Sequence, residues 1–316
     1  MKYLLAAIII ISAKISFTGC HRSVDLSSLY PDSTITIKYQ LDWQKNFYQK
    51  RIKEFIQNPI GENKIILIGN SITYGIRNWD EKFDSKNIIN RGISGDYTEG
   101  ILKRLDEIIF YKPLAVFLMI GLNDYFDDNT SRPDRTPEYV ANNILKSAKT
   151  IKEGTPATKI FIQTILPINN QQYLDEKPQV NFLWPSFYPS VNQQINETNK
   201  ILRNNNEFEV IDLHPLFLND NSVMKKSFSK DGVHLNESGY NVWIAKVKPL
   251  IDNINPITKD ILDTVDVNID ISLNKKVYVN RITISGNTRT QDEVIRREIG
   301  ISEGGLYSRS VLRNLR

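Results

Sequence analysis

The chain has 316 residues, 41% hydrophobic and 24% charged, an ordinary globular composition sufficient for one large domain with attachments or for two domains. The formal charge is only +4, and from Lys275 to Arg316 nine Lys and Arg face four Asp and Glu. The remainder is close to neutral and offers no nucleic-acid-binding surface, and the single cysteine excludes an internal disulfide framework.

Lys2, the apolar run Leu4 to Ile11 and Thr18-Gly19-Cys20 read as a targeting segment with a positive end and a small-residue cleavage region. The run is shorter than the roughly 20 residues of a spanning helix. It resembles a bacterial lipoprotein signal, in which a Cys just after the cleavage point is lipid-modified, with Phe17 where that pattern usually has Leu, Val or Ile. The expectation is a signal peptide over 1–19 and an exported protein, in the periplasm or tethered through Cys20 to the outer membrane. Residues 21–40, with a turn at Pro31-Asp32-Ser33, read as a tether or a short irregular entry. Trp43, Phe47, Ile52, Phe55 and Ile56 then recur at helical spacing, predicting a helix whose aromatics serve packing and which ends before Asn58-Pro59.

Lys64 to Ile68 reads as a buried strand stopped by Gly69-Asn70, with Ser71 at the cap position of a following helix. Such a hydroxyl is either a plain N-cap or, among backbone N–H groups and at a helix dipole, a group placed to handle anionic oxygen. Further strands are expected over 87–90, 114–120, 159–165 and 208–211. Helices are expected over 98–110 (capped by Thr98), 137–152, 190–205 and 237–251. Residues 168–189 carry Phe182, Trp184, Phe187 and Tyr188 among prolines and amides and read as a long functional loop. This alternation predicts an α/β domain with a parallel sheet covered on both faces and reactive groups at the carboxyl ends of its strands. Beyond a linker at Asp252-Asn253-Ile254-Asn255-Pro256, Val265 to Leu273 and Val277 to Ser285 alternate as half-buried strands. A turn at 286–290 and a helix from Gln291 to Glu298 follow.

Four segments fall at strand ends or before the last helix: Gly69-Asn70-Ser71, Asn90-Arg91-Gly92-Ile93-Ser94-Gly95-Asp96, Gly121-Leu122-Asn123-Asp124 and Asp231-Gly232-Val233-His234. In this order they resemble the SGNH (GDSL-type) hydrolases, in the lysophospholipase-like and platelet-activating-factor-acetylhydrolase-like branch, over about Lys45 to Ile251. The resemblance implies a three-layer α/β/α sandwich with a central parallel sheet, flavodoxin-like, and a serine esterase acting on a small acyl ester. Carbohydrate acetyl esters and lysophospholipids both fit. Ser71 would be the nucleophile, His234 its base, and Asp231, three residues earlier, the group that fixes the imidazole tautomer. By similarity the oxyanion donors are the Ser71 and Gly95 N–H groups and the Asn123 side chain. No metal or organic cofactor is called for. Gly92 reads as a turn glycine, Asp124 as a loop anchor and His214 as a structural histidine. Asn70 stands where the family commonly has Asp, and Thr73 replaces the second glycine of a Gly-x-Ser-x-Gly elbow, which argues against the ordinary α/β-hydrolase fold.

Val277-Tyr278-Val279-Asn280-Arg281-Ile282 and Ser285-Gly286-Asn287-Thr288-Arg289-Thr290 resemble the POTRA modules of outer-membrane barrel-assembly proteins. The likeness covers about the last 40 residues and stops at Arg316, short of the module's final strands; a fusion or a truncated or misassembled reading frame would explain it. The expected organisation is a tether and helix over 20–60, a hydrolase domain over 61–253 and a linker with a partial POTRA-like α+β segment over 254–316. Two other readings stand beside the esterase. One is a periplasmic interaction protein that uses the C-terminal segment for a protein partner, with an idle hydrolase domain. The other is a metal hydrolase built on Asp212, His214, Asp231 and His234.

Overall fold

The computed structural model describes residues 26–85, 87–126, 132, 134–254, 266–272, 278–285, 294 and 302–303. The leader segment with Cys20, the turn at 286–290 and, apart from Val294, the helix expected over 291–298 lie outside the described residues. The chain divides into units of residues 1–243 and 244–316.

In chain order come α1 (Asp42–Gln57), β1 (Ile65–Gly69), α2 (Ser71–Tyr74), α3 (Trp79–Phe83), β2 (Ile88–Gly92), α4 (Thr98–Leu102), α5 (Asp106–Tyr111) and β3 (Ala115–Met119). Then come α6 (Pro137–Gly154), β4 (Lys159–Gln163), α7 (Asn170–Glu176), α8 (Val191–Arg203), β5 (Glu209–Ile211), α9 (His214–Phe217) and α10 (Glu237–Ile254), inside which the unit boundary falls. The first five strands form one parallel sheet in the order β2-β1-β3-β4-β5, with helices flanking it, as expected for the α/β class.

The sequence of β1, Ile-Ile-Leu-Ile-Gly, and that of β3, Ala-Val-Phe-Leu-Met, are buried along their whole length because both sheet faces are covered. Ile66, Ile68, Val116, Leu118, Ile160 and Ile162 point to one side, where they share a core with Ile101, Val140, Ile144 and Ile195 of the helices. On the other side Phe117 and Phe161 stack with ring centroids 4.6 Å apart. Each such fully buried side chain contributes roughly 1.5–3 kcal/mol of hydrophobic stabilisation. The register sets Gly69 of β1 opposite Gly92 of β2 and Met119 of β3, so these three strands end level and deliver the loops that follow to one edge.

Several expectations change. The stretch 26–40 is no free tether: Tyr30 and Ile37 are buried in a core with Tyr48, Ile52, Phe55, Ile93 and Tyr97, and the Tyr30 hydroxyl donates to Glu107 Oε1 at 2.7 Å. The helix expected over 98–110 is two helices. The chain breaks at 103–105, where Arg104 turns inward to Asp96 and to the carbonyls of Arg91 and Gly69. Thr98 is not its cap; the Asp124 carboxylate, from another loop, accepts from Thr98 N at 3.0 Å and from its hydroxyl at 2.9 Å. Residues 168–189 contain α7, begun by an Asn169 side chain that accepts from Gln172 N, and a 3₁₀ turn at Asn181–Leu183. Phe126 packs edge-on against Tyr173 and Phe182 there. At the other end, α10 continues to Ile254, through residues read as linker.

In the second unit, β6 (Asp266–Ser272) and β7 (Tyr278–Ser285) pair antiparallel, with a register shift between Asp270 and Ile271. The backbone N–H of Ile282 donates to Glu303 Oε1 at 2.9 Å.

Candidate active site

Ser71 is the first residue of α2, and the cap is its neighbour: Asn70 Oδ1 accepts from Ile72 N at 3.0 Å. This corrects the capping reading of Ser71 and has a chemical consequence. With the helix end satisfied by Asn70, the serine hydroxyl is free for other use. It lies 3.1 Å from His234 Nε2. His234 Nδ1 in turn lies 2.7 Å from Asp231 Oδ2. A carboxylate only accepts, so the shared proton sits on Nδ1 and a neutral imidazole offers Nε2 as acceptor to the serine O–H.

The Asp231 carboxylate is fixed locally, its Oδ1 accepting from Val233 N at 2.9 Å and His234 N at 2.7 Å, around a Gly232 with φ +90°. Burial alone would raise its pKa, but the hydrogen bonds from the His234 ring and backbone outweigh that and hold the carboxyl well below the usual range. It therefore stays charged throughout the neutral region. The His234 side chain keeps 42% exposure, enough to meet a solute.

The second loop leaves β2 through Ile93, whose N–H donates to Gly69 O at 3.0 Å, and closes with Asp96 N donating to Ile93 O. Gly95 stands in this turn at φ +76°, a conformation that suits a residue without a side chain. Neither Gly95 N–H nor Ser71 N–H donates to another described residue. Asn123 approaches from the loop after β3, its Nδ2 donating to Asp96 O at 2.9 Å through one of its two hydrogens. Ser71, Gly95 and Asn123 thus come from the level ends of β1, β2 and β3, with Gly95 and Asn123 joined through Asp96. Gly92 is no turn glycine: it ends β2, and a Cβ there would collide with the backbone of Tyr74 in α2.

Sequence reasoning missed the supports. Arg104, with a 3% exposed side chain, donates to Asp96 Oδ2 at 2.9 Å, to Arg91 O at 2.8 Å and to Gly69 O at 3.3 Å, fastening two strand ends and the Gly95 loop. Asp124 does anchor its loop, through Thr98 and the buried Arg135. From α1, Gln44 Nε2 donates to Gly95 O at 3.1 Å, while its Oε1 accepts from Leu41 N and the Tyr97 hydroxyl. The buried face of α1 is Gln44, Tyr48, Arg51, Ile52 and Phe55, and Trp43, expected to pack, is 55% exposed. A Cβ on Gly95 would lie 2.7 Å from Trp43 Cη2, so the indole borders the Gly95 loop. The available signal was two polar residues, Gln44 and Arg51, at core-facing positions of an amphipathic helix.

Asp212 is held by Arg203 at 2.9 and 3.0 Å, and Asp212, His214, Asp231 and His234 do not gather: among the described residues no three His, Cys, Asp or Glu side chains form a metal-holding group. His214 is structural, 5% exposed, with its N–H bonded to Thr164 Oγ1 and its Nε2 unpartnered among the described residues. Burial, aided by Arg203, pulls its pKa down to about 4. Below pH 6.5 the unfolded imidazole binds a proton that the folded one refuses until about pH 4, so stability falls as pH drops through that window. The loss attributable to His214 is about 3 kcal/mol. Urea unfolding at pH 7 and pH 4 is expected to show His214→Phe losing that much less on acidification than the unsubstituted chain; parallel losses would refute the assignment.

A family model described as GDSL-like lipase/acylhydrolase matches residues 67–242. A second, POTRA (surface antigen variable number repeat), matches 277–316. The chain is 28% identical over 227 residues to an N-acylneuraminate cytidylyltransferase of Escherichia coli, over 69% of this chain and 48% of that protein, so it spans about half of that relative's length. It is 23% identical over 185 residues to the human platelet-activating factor acetylhydrolase IB subunit alpha1, over 57% of this chain and 71% of the relative. The solved structure of a GDSL-like lipase from Bacteroides thetaiotaomicron has a TM-score of 0.53 at 23% identity, covering 65% of this chain and 97% of that one, a likeness of fold.

Proposed function

The chain belongs to the GDSL-like lipase/acylhydrolase family, the carboxylic ester hydrolases, and from that premise we propose that Ser71, His234 and Asp231 hydrolyse a small acyl ester through an acyl-enzyme. The observation that carries this is the contact chain Ser71 Oγ, His234 Nε2, His234 Nδ1 and Asp231 Oδ2, with steps of 3.1 and 2.7 Å. Ser71 Oγ attacks the acyl carbon as His234 Nε2 takes its proton, and the charged Asp231 stabilises the imidazolium. The negative charge that develops on the carbonyl oxygen meets the Ser71 and Gly95 N–H groups and the Asn123 amide. His234 returns the proton to the departing alcohol, and water repeats the sequence on the acyl-enzyme. No step calls on a metal or organic cofactor. The alcohol is a carbohydrate or a lysophospholipid-type glycerol, and the leader ahead of Cys20 favours an exported enzyme, in the periplasm or on an outer-membrane lipid anchor.

A second reading rests on the POTRA match at 277–316: the C-terminal unit serves a protein partner beside an idle hydrolase domain. One experiment addresses both. The chain from residue 21 and a version ending at Ile254 are expected to hydrolyse p-nitrophenyl acetate with equal kcat/KM. No turnover by either would sink the esterase, and turnover by the longer chain alone would make the C-terminal unit part of the enzyme.

A further inference from the structure

β2 is an edge strand, and beside it α1 and α2 bound a cavity of about 420 Å³ whose lining includes Arg51, Glu54, Phe55, Tyr74, Arg77 and Arg91. Its charged groups form an alternating ladder. The Arg77 guanidinium lies 4.4 Å from the Tyr74 ring centroid, Arg51 lies 4.9 Å from Tyr74 and 4.6 Å from Phe55, and Arg91 lies 4.5 Å from Phe55. A guanidinium stacked by its face keeps its N–H edge for in-plane bonds. Arg51 directs its edge to Gly92 O, Asn90 O and Glu54, and Arg91 to Glu107 and Asn58 O, whereas Arg77 has none of these partners.

The charges do not balance. Glu107 takes Arg91 with two bonds, at 2.6 and 2.9 Å, and Glu54 takes Arg51, but Arg77 pairs with no carboxylate among the described residues. Burial pulls the Arg51 guanidinium below its ordinary range, with Glu54 opposing and Arg91 adding to the shift. Arg77 is exposed to solvent at the mouth of the cavity, so an anion entering there meets a positive charge not already taken by a carboxylate.

We propose that this cavity binds one singly charged acid group, a carboxylate or a phosphodiester, at the Arg77–Tyr74–Arg51 end of the ladder. Tyr74 stands three residues after Ser71 in the same single-turn helix. The binding does not depend on Ser71 being the esterase nucleophile.

Titration calorimetry of the chain from residue 21, at low ionic strength, tests this with sodium D-glucuronate and dimethyl phosphate as probes and D-glucose as the neutral control. At least one anion is expected to saturate a single site, and the one that binds identifies an acidic sugar or a phosphodiester as the source. Arg77→Ala is expected to weaken binding at least tenfold, whereas Ser71→Ala leaves it unchanged, separating this site from the fate of the esterase assignment. Glu54→Gln removes the competing carboxylate and is expected to tighten binding severalfold, a check that stands if Arg77→Ala fails to fold. The proposal is overturned if neither anion binds better than glucose, if Arg77→Ala binds as the unsubstituted chain does, or if Glu54→Gln binds no more tightly.

Discussion

Ser71→Ala is expected to lower kcat for p-nitrophenyl acetate by on the order of 10⁴-fold or more, His234→Ala by a similar factor, and the double variant by no more than either alone. The reasoning is geometric. Among the described residues Ser71 Oγ has one basic partner, His234 Nε2 at 3.1 Å, so removing either atom ends the same step and the losses cannot add. Neither substitution disturbs the local fold: Asn70 holds the start of α2 through Ile72 N, and the Tyr240 hydroxyl and Trp79 indole bond to the carbonyls of Ile72 and Thr73. Steady-state kinetics beside circular dichroism decides it. A folded Ser71→Ala enzyme that retains near-normal turnover, or a double variant far worse than either single one, would show that the two groups do not act as a unit.

Gly95→Ala keeps the backbone N–H but forces the turn that carries it to shift, and it is expected to lower kcat by up to about 10²–10³-fold, the full effect of an oxyanion donor put out of reach. It should also cost about 1–3 kcal/mol of stability. Two causes converge on one atom. At φ +76° a Cβ is strained, and here it would lie 2.7 Å from Trp43 Cη2 and 2.9 Å from Gln44 Cγ. The Trp43→Ala, Gly95→Ala double variant opens the space without removing the strain, so it should recover part of the stability and little of the rate. Urea unfolding beside kcat separates the two, and a destabilised Gly95→Ala enzyme with unchanged kcat would show that the strain is not passed on to the reaction.

The strands were legible because Ile65–Ile68 and Ala115–Met119 are apolar runs whose burial on both faces needs no distant information. The contacts of His234 with Ser71 and with Asp231 were legible for a different reason. Asp-x-x-His closes in one turn, and a parallel sheet brings strand ends to one edge whatever the separation in sequence. What escaped depends on partners far along the chain. No local signal tells that the Gln44 amide meets the carbonyl of Gly95, or that Arg104 breaks a helix to reach Asp96 and Gly69. The cap at Asn70 escaped because Asn and Ser are both good N-caps and sit side by side, so only the backbone geometry separates them.

Helix α1 carries a practical corollary. The family match opens at residue 67, yet the Gly95 turn is braced from residues 44, 48 and 51, through Gln44 to Gly95 O, Tyr48 to Gly100 O and Arg51 to Gly92 O. A recombinant fragment trimmed to the matched stretch would keep Ser71, Gly95, Asn123, Asp231 and His234 and lose the struts that brace the Gly95 turn. Cloning boundaries for this enzyme therefore belong upstream of Leu41, and a dead fragment cut further in would speak about the cut rather than about the chemistry.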